Sequence, residues 1–154
     1  MFSSMQRGFI NKEYIKYFVL IAIFFYDSIS SIYYLLPPMF GILAILVFNA
    51  LDEDDRYFLF MLLVVLLFFE SNRNLLLFST TLFLIISYYY FVPIIKDITI
   101  CQKCLYPLYI SLAYIGYFLF TLVLSFILNS NYISIDYVVI YYILIEIFLA
   151  LVWL

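Results

Sequence analysis

The sequence predicts an all-α integral membrane protein, a bundle of six transmembrane helices in which the second and third are short. The chain is 69% hydrophobic and 11% charged, with a mean hydropathy of +1.17, whereas about a quarter of the residues of a soluble domain are charged. Its apolar residues form six runs. Three glycines and four prolines leave little room for linkers, so we predict one membrane domain over residues 1–154.

The first three predicted spans cover residues 14–36, 38–51 and 56–70. The first ends at Pro37 and Pro38, because proline lacks a backbone N–H and disfavours the helical conformation of the residue before it. The stretches 39–51 and 57–69 contain no Lys, Arg, Asp or Glu. Helices of this length measure about 20 Å. A bilayer crossing requires about 20 residues, which correspond to about 30 Å. We expect both to use flanking residues or to lie where the membrane is thin.

The last three predicted spans cover residues 75–94, 105–128 and 137–154. The fourth closes near Pro93 and Lys96, and Pro107 falls in the first turn of the fifth, where a missing N–H costs little. Six basic residues fall on the side of the N-terminus: Arg7, Lys12, Lys16, Arg56, Lys96 and Lys103. Arg73 alone falls on the other side. Because Lys and Arg near span ends stay cytoplasmic, we predict a multi-pass protein with both termini in the cytoplasm.

Cys101 and Cys104 form a CxxC pair, the only motif in the sequence that is typical of redox catalysis or metal binding. Such a pair is either a dithiol redox centre or half of a zinc site. Zinc needs four ligands, and the chain has no His and no other Cys. The predicted cytoplasmic side is also reducing. We therefore expect no catalytic residue, metal or cofactor, and a CxxC redox protein stays open as an alternative. The net charge of −3, without a basic stripe, argues against nucleic acid as a partner.

Two acids lie deep in predicted spans, Asp27 in the first and Glu146 in the sixth. A charge at the centre of a span costs about 2.5–3.5 kcal/mol on insertion scales, so both acids must face protein or water. One interpretation is a proton or cation pathway. The other is hydrogen bonding between helices or to a partner's helix, since we expect no basic residue at their depth. On this second interpretation, replacement by Leu leaves the protein inserted and removes the partner.

Glu70 and Arg73 close the third predicted span, where we expect an exposed ion pair. Before them come Pro37 and Pro38, a short apolar run and the polar turn LDEDDR, which ends at Arg56; after them comes a Leu-rich helix from Leu75. This arrangement resembles the rod-shape-determining MreD family of the bacterial inner membrane, whose six helices and chain length are similar.

The resemblance implies a non-catalytic adaptor of the cell-elongation machinery. MreD-like proteins pair with the single-span MreC and connect the cytoplasmic actin-like filament to the periplasmic wall synthases. Partners would then bind helix faces, and the candidate residues for partner binding are Asp27, Glu146, Glu70, Arg73, Pro37 and Pro38.

A substrate-binding membrane subunit of a small-molecule uptake transporter is the main alternative. Such a site requires polar residues from several helices at one depth, beside a cavity that opens outward. The sequence offers Glu70, Arg73, Asn74 and Asp136 for it.

Overall fold

A computed structural model of the chain describes the backbone of residues 2–33, 35–128 and 138–153. Side chains are described for residues 14–33, 35–101, 104–128 and 138–152. All regular structure in these ranges is helical, as predicted. The helices are α1 (Phe2–Ser30), α2 (Phe40–Asp52), α3 (Arg56–Asn72), α4 (Ser79–Ile98), α5 (Gln102–Ser111), α6 (Tyr117–Leu128) and α7 (Val138–Trp153). A π-helical turn, Leu112–Gly116, joins α5 and α6 into one continuous helix.

Two helical segments are long and apolar enough to cross a membrane, Ser79–Ile98 and Cys104–Leu128. Phe40–Asp52 and Val138–Val152 are apolar but shorter. The second helix is short, as predicted, with 13 residues. The third has 17 residues and is longer than α7, which has 16, so its length does not set it apart. By length and composition, two of the six predicted spans are thus able to cross a membrane.

Several predicted boundaries were wrong. The first helix ends at Ser30 and not at residue 36, because the Ser30 hydroxyl turns to the carbonyls of Leu36 and Pro37, at 3.1 and 3.4 Å. The fourth helix begins at Ser79 and not at residue 75, and it continues through Pro93 to Ile98. Proline removes one helical hydrogen bond, which membrane helices tolerate. Pro107 lies inside α5 and not in its first turn.

Helix α2 forms the centre of the bundle. It packs against α3, α4, α5, the π turn and α7, while α1 packs on α3. Nine of its 13 residues are buried, including the small residues Gly41 and Ala44, which permit close approach of neighbouring helices. Because α2 is apolar on nearly every face, it is stable only when other helices surround it.

The turn between α2 and α3 lies at one end of the bundle, which we call the inner end. Its Asp52 accepts hydrogen bonds from Lys96 at 2.6 Å and from the Tyr88 hydroxyl at 2.8 Å. Glu53 pairs with Lys16. The acids of the turn thus hold α1 and α4 to it, although exposed pairs of this kind contribute at most about 1 kcal/mol each. The opposite end, where α1 and α3 finish and α4 starts, is the outer end.

Candidate functional site

Glu146 of α7 is fully buried and caps the N-terminus of α2. Its Oε2 accepts a hydrogen bond of 2.8 Å from the Gly41 N–H, and the N–H groups of Met39 and Ile42 also face the carboxyl group. The first N–H groups of a helix have no partner within the helix. A negative or acceptor group from another helix therefore satisfies donors that would otherwise be buried and unpaired.

The π turn brings a second donor to this carboxyl group. The Tyr114 hydroxyl donates to Oε1 of Glu146, and Tyr114 lies within Leu112–Gly116. Single π turns often occur where a helix must re-aim side chains at a functional position. Here the turn joins α5 and α6 to α2 and α7 through one acid.

Gly41 is required for this approach. A Cβ atom at this position would lie 2.6 Å from Oε2 of Glu146 and 2.8 Å from Cγ2 of Ile110. Both distances are shorter than van der Waals contact. The absence of a side chain at Gly41 therefore lets the Glu146 carboxyl group reach the start of α2.

Glu70 of α3 caps the N-terminus of α4, as Glu146 caps the N-terminus of α2. Its Oε2 accepts from the Phe78 N–H at 2.6 Å, and its Oε1 accepts from the Thr80 N–H at 2.7 Å and from the Thr80 hydroxyl. Glu70 and Thr80 are both fully buried. The prediction of an exposed ion pair between Glu70 and Arg73 is therefore wrong. The start of α4 lies against the end of α3, and its N–H groups donate to the Glu70 carboxyl group instead.

The two capped helices share one backbone feature. Met39 and Phe78 each stand immediately before the helix with a positive φ, 53° and 66°, and neither helix start has a side-chain cap of its own. A left-handed conformation costs roughly 1–2 kcal/mol for a residue with a side chain. In both places the buried glutamate supplies hydrogen bonds that offset this strain.

Asp27 of α1 lies at the outer end beside the end of α3. Its Oδ2 accepts a 3.3 Å hydrogen bond from Nδ2 of Asn72, and its Oδ1 lies 3.7 Å from Nη2 of Arg73. Arg73 donates at 2.9 Å to the Ser30 hydroxyl. The expectation that neither deep acid has a basic companion is thus wrong for Asp27, since α3 ends level with it.

Pro37 and Pro38 are buried in the segment between α1 and α2. The carbonyl of Pro37 is within reach of the Ser30 hydroxyl, and Met39 follows them directly. Their rigid backbone leads into the capped start of α2, so they lie inside the bundle and not on its surface. Asp136 lies outside the described residues.

A cavity of about 620 Å³, which we call the outer cavity, lies between the turn after α3 and helix α6. Its polar lining comes from α3, α4, α6, the π turn and the turns after α1 and α3: Ser31, Asn72, Arg73, Asn74, Ser79, Tyr114, Tyr117, Thr121 and Ser125. Its apolar lining consists of Leu75, Leu76, Phe118, Leu124 and Val139. More polar groups line this cavity than the sequence predicted. The hydroxyl-bearing residues of α6 form no motif that would have indicated a shared site.

A second concavity, which we call the α1–α7 groove, has a volume of about 370 Å³. Helix α1 forms one wall with Phe18, Val19, Ala22, Ile23 and Tyr26, α7 forms the other with Leu149 and Ala150, and Met39 and Ile42 of α2 form the floor. Apart from the Tyr26 hydroxyl, the side chains that line it are apolar. The groove is therefore a surface for apolar chains or helices.

Cys101 and Cys104 are exposed thiols at the start of α5, at the inner end. Among the described side chains, no group of three or more His, Cys, Asp and Glu residues is arranged to hold a metal ion. The thiols lie far from the buried acids along the chain and at the other end of the bundle.

No protein-family model, no curated protein and no solved structure matches the chain. The resemblance to the MreD family stays a prediction from the arrangement of residues.

Proposed function

We propose that this protein is a multi-pass membrane adaptor of the bacterial cell-elongation machinery, which binds the transmembrane helix of a single-span partner in the α1–α7 groove. The groove is the observation that carries the proposal. Two small residues, Ala22 and Ala150, stand on opposite walls, and small residues let the backbones of membrane helices approach closely.

Exposure of the long helices supports a membrane environment. Within the apolar windows of Ser79–Ile98 and Cys104–Leu128, 22% and 17% of the residues are buried. A core helix of a soluble protein would be mostly buried. Exposed apolar side chains instead fit a lipid solvent, in which they need no protein cover.

The buried acids support an adaptor in a different way. Glu70 and Glu146 accept hydrogen bonds from helix starts, and Asp27 faces Arg73 and Asn72. We infer that they hold the bundle in one arrangement, so that a partner meets a preformed groove. On this proposal the partner is MreC-like, and wall synthases associate with the pair.

A bulky side chain in the groove should displace the partner. We expect Ala22→Trp to lower co-purification of the single-span partner about tenfold, which corresponds to roughly 1.4 kcal/mol, because the indole occupies the space of the incoming helix. Val123→Trp is the control, since Val123 is 57% exposed on α6 and does not line the groove. Quantitative mass spectrometry of tagged protein from rod-shaped cells measures the effect.

Equal recovery of the partner with both variants, together with normal shape in depleted cells, would exclude the groove as the adaptor site. Loss of uptake of one nutrient with unchanged shape would instead favour the transporter subunit, the second candidate. That candidate is supported by the outer cavity, which polar residues from several helices line.

The orientation is part of the proposal, with the inner end and both termini in the cytoplasm of the inner membrane. We expect a membrane-impermeant maleimide to label Cys101 and Cys104 only after the cells are permeabilised, because the thiols are exposed at the inner end. In a chain with Cys101→Ser and Cys104→Ser, Leu77→Cys is the control. Leu77 is 64% exposed in the outer turn between α3 and α4, so it should react in intact cells.

Labelling of the native thiols in intact cells would reverse the orientation and place the CxxC pair on the oxidising side, which would favour the redox alternative.

A further inference from the structure

The outer cavity has one charged residue in its described lining, Arg73, and this residue is held in a fixed position. Nη2 of Arg73 donates to the Ser30 hydroxyl at 2.9 Å, and Cζ lies 5.2 Å from the centre of the Phe69 ring. Hydrogen bonding and stacking together orient the planar guanidinium group.

Asp27 does not use up the donors of this guanidinium group. The nearest oxygen of Asp27 lies 3.7 Å from Nη2, which is longer than a hydrogen bond. Among the described residues, Nε of Arg73 and Oδ1 of Asp27 have no hydrogen-bond partner. Nε is itself buried, so an oxyanion in the cavity would contact the exposed part of the guanidinium group, which lines the cavity, through charge-assisted hydrogen bonds.

A hydroxyl pair supplies a further donor on the same wall. The Ser79 Oγ and the Tyr117 hydroxyl oxygen are 3.0 Å apart, and either can donate to the other. The pair has two protons, and the bond between them uses one. The other proton remains for an acceptor in the cavity, which both residues line.

An apolar part of the lining lies beside these polar groups. Leu75 and Leu76 follow Arg73 in the turn, and Phe118 and Leu124 come from α6. A ligand that satisfies both walls therefore has an anionic group attached to an apolar chain. About 620 Å³ is within the range of sites for small organic ligands.

We propose that the outer cavity binds the phosphate group of a phosphate ester that carries a net negative charge, with the oxyanion on Arg73 and the hydroxyl pair. The apolar wall favours a lipid as its source over a soluble ester. This inference goes beyond the adaptor proposal, because it concerns a different face of the bundle and does not require a protein partner.

The test uses the full chain in phosphatidylcholine nanodiscs. Phosphatidylglycerol is titrated in one arm and soluble glycerol 3-phosphate in the other, and native mass spectrometry counts the bound ligand. We expect saturable binding of one ligand per chain, and at least about a tenfold loss of affinity in Arg73→Gln because the charge-assisted bonds are lost. Arg56→Gln, at the inner end and exposed, is the matched control and should bind like the parent chain.

Two further variants keep the proposal testable if Arg73→Gln does not fold. Asp27→Asn combined with Arg73→Gln removes both charges and leaves no buried ion unpaired. Thr121→Phe fills the cavity without changing any charge. Binding of either ester by the parent chain, lost in these variants, supports the proposal, and the arm that binds identifies the source. Binding that is equal in all variants, or equal for phosphatidylcholine, overturns it. The groove and the outer cavity share no lining residue. The groove variants therefore test the adaptor proposal, and the cavity variants test this one.

Discussion

Glu146→Ala is expected to destabilise the protein by about 3 kcal/mol or more, because it leaves several buried donors without an acceptor. Each buried polar group that loses its partner costs about 1–3 kcal/mol. The Gly41 N–H and the Tyr114 hydroxyl both lose theirs. For a chain of this size the loss corresponds to a decrease of roughly 6–12 °C in Tm, measured by thermal unfolding in detergent.

Leu144→Ala is the control on the same helix, since Leu144 is 64% exposed and should change the stability by less than about 0.5 kcal/mol. Glu146→Gln keeps one carbonyl oxygen and should fall between the two. Gly41→Ala tests the same contact sterically, because its Cβ would lie 2.6 Å from Oε2 of Glu146. If Glu146→Ala unfolds at the temperature of Leu144→Ala, the carboxyl group does not hold α2.

This geometry also changes the expectation for Glu146→Leu. Apolar replacement favours insertion, but insertion and folding are separate steps. We now expect an inserted chain whose α2 start is not fixed. Partner loss in that variant would follow from unfolding, so the groove variants test partner binding more directly.

Glu70→Ala is expected to release the first turn of α4. The Phe78 and Thr80 N–H groups lose their acceptor, and Phe78 keeps a positive φ of 66° with nothing to offset it. We expect a loss of about 3 kcal/mol, from two or more unpaired buried donors at about 1–3 kcal/mol each. Hydrogen exchange over residues 78–82 should quicken more than exchange in α2.

Ser71→Ala is the neighbouring control, since Ser71 is exposed and no described side-chain hydrogen bond depends on it. Unchanged protection of residues 78–82 in Glu70→Ala would show that α4 starts without this cap. Glu70→Gln should retain part of the protection, because an amide oxygen can accept one of the N–H groups.

The buried acids show how far residue type alone predicts a site. Polarity and depth marked Asp27 and Glu146 as residues that need partners inside the bundle, and both have them. Their partners were not predictable, because Tyr114, Arg73 and the Gly41 N–H are distant in sequence and carry no shared motif.

Composition and hydropathy by themselves determined the class of the protein: helical, apolar on most faces, with a short second helix. These properties depend on local sequence, because each helix satisfies its own backbone hydrogen bonds. Only the tertiary structure decided where α2 and α4 begin, which acids cap them and where the outer cavity forms. The physical reason is that the first N–H groups of a helix take their acceptors from outside it. In this chain those acceptors are Glu146, 105 residues after Gly41, and Glu70, ten residues before Thr80.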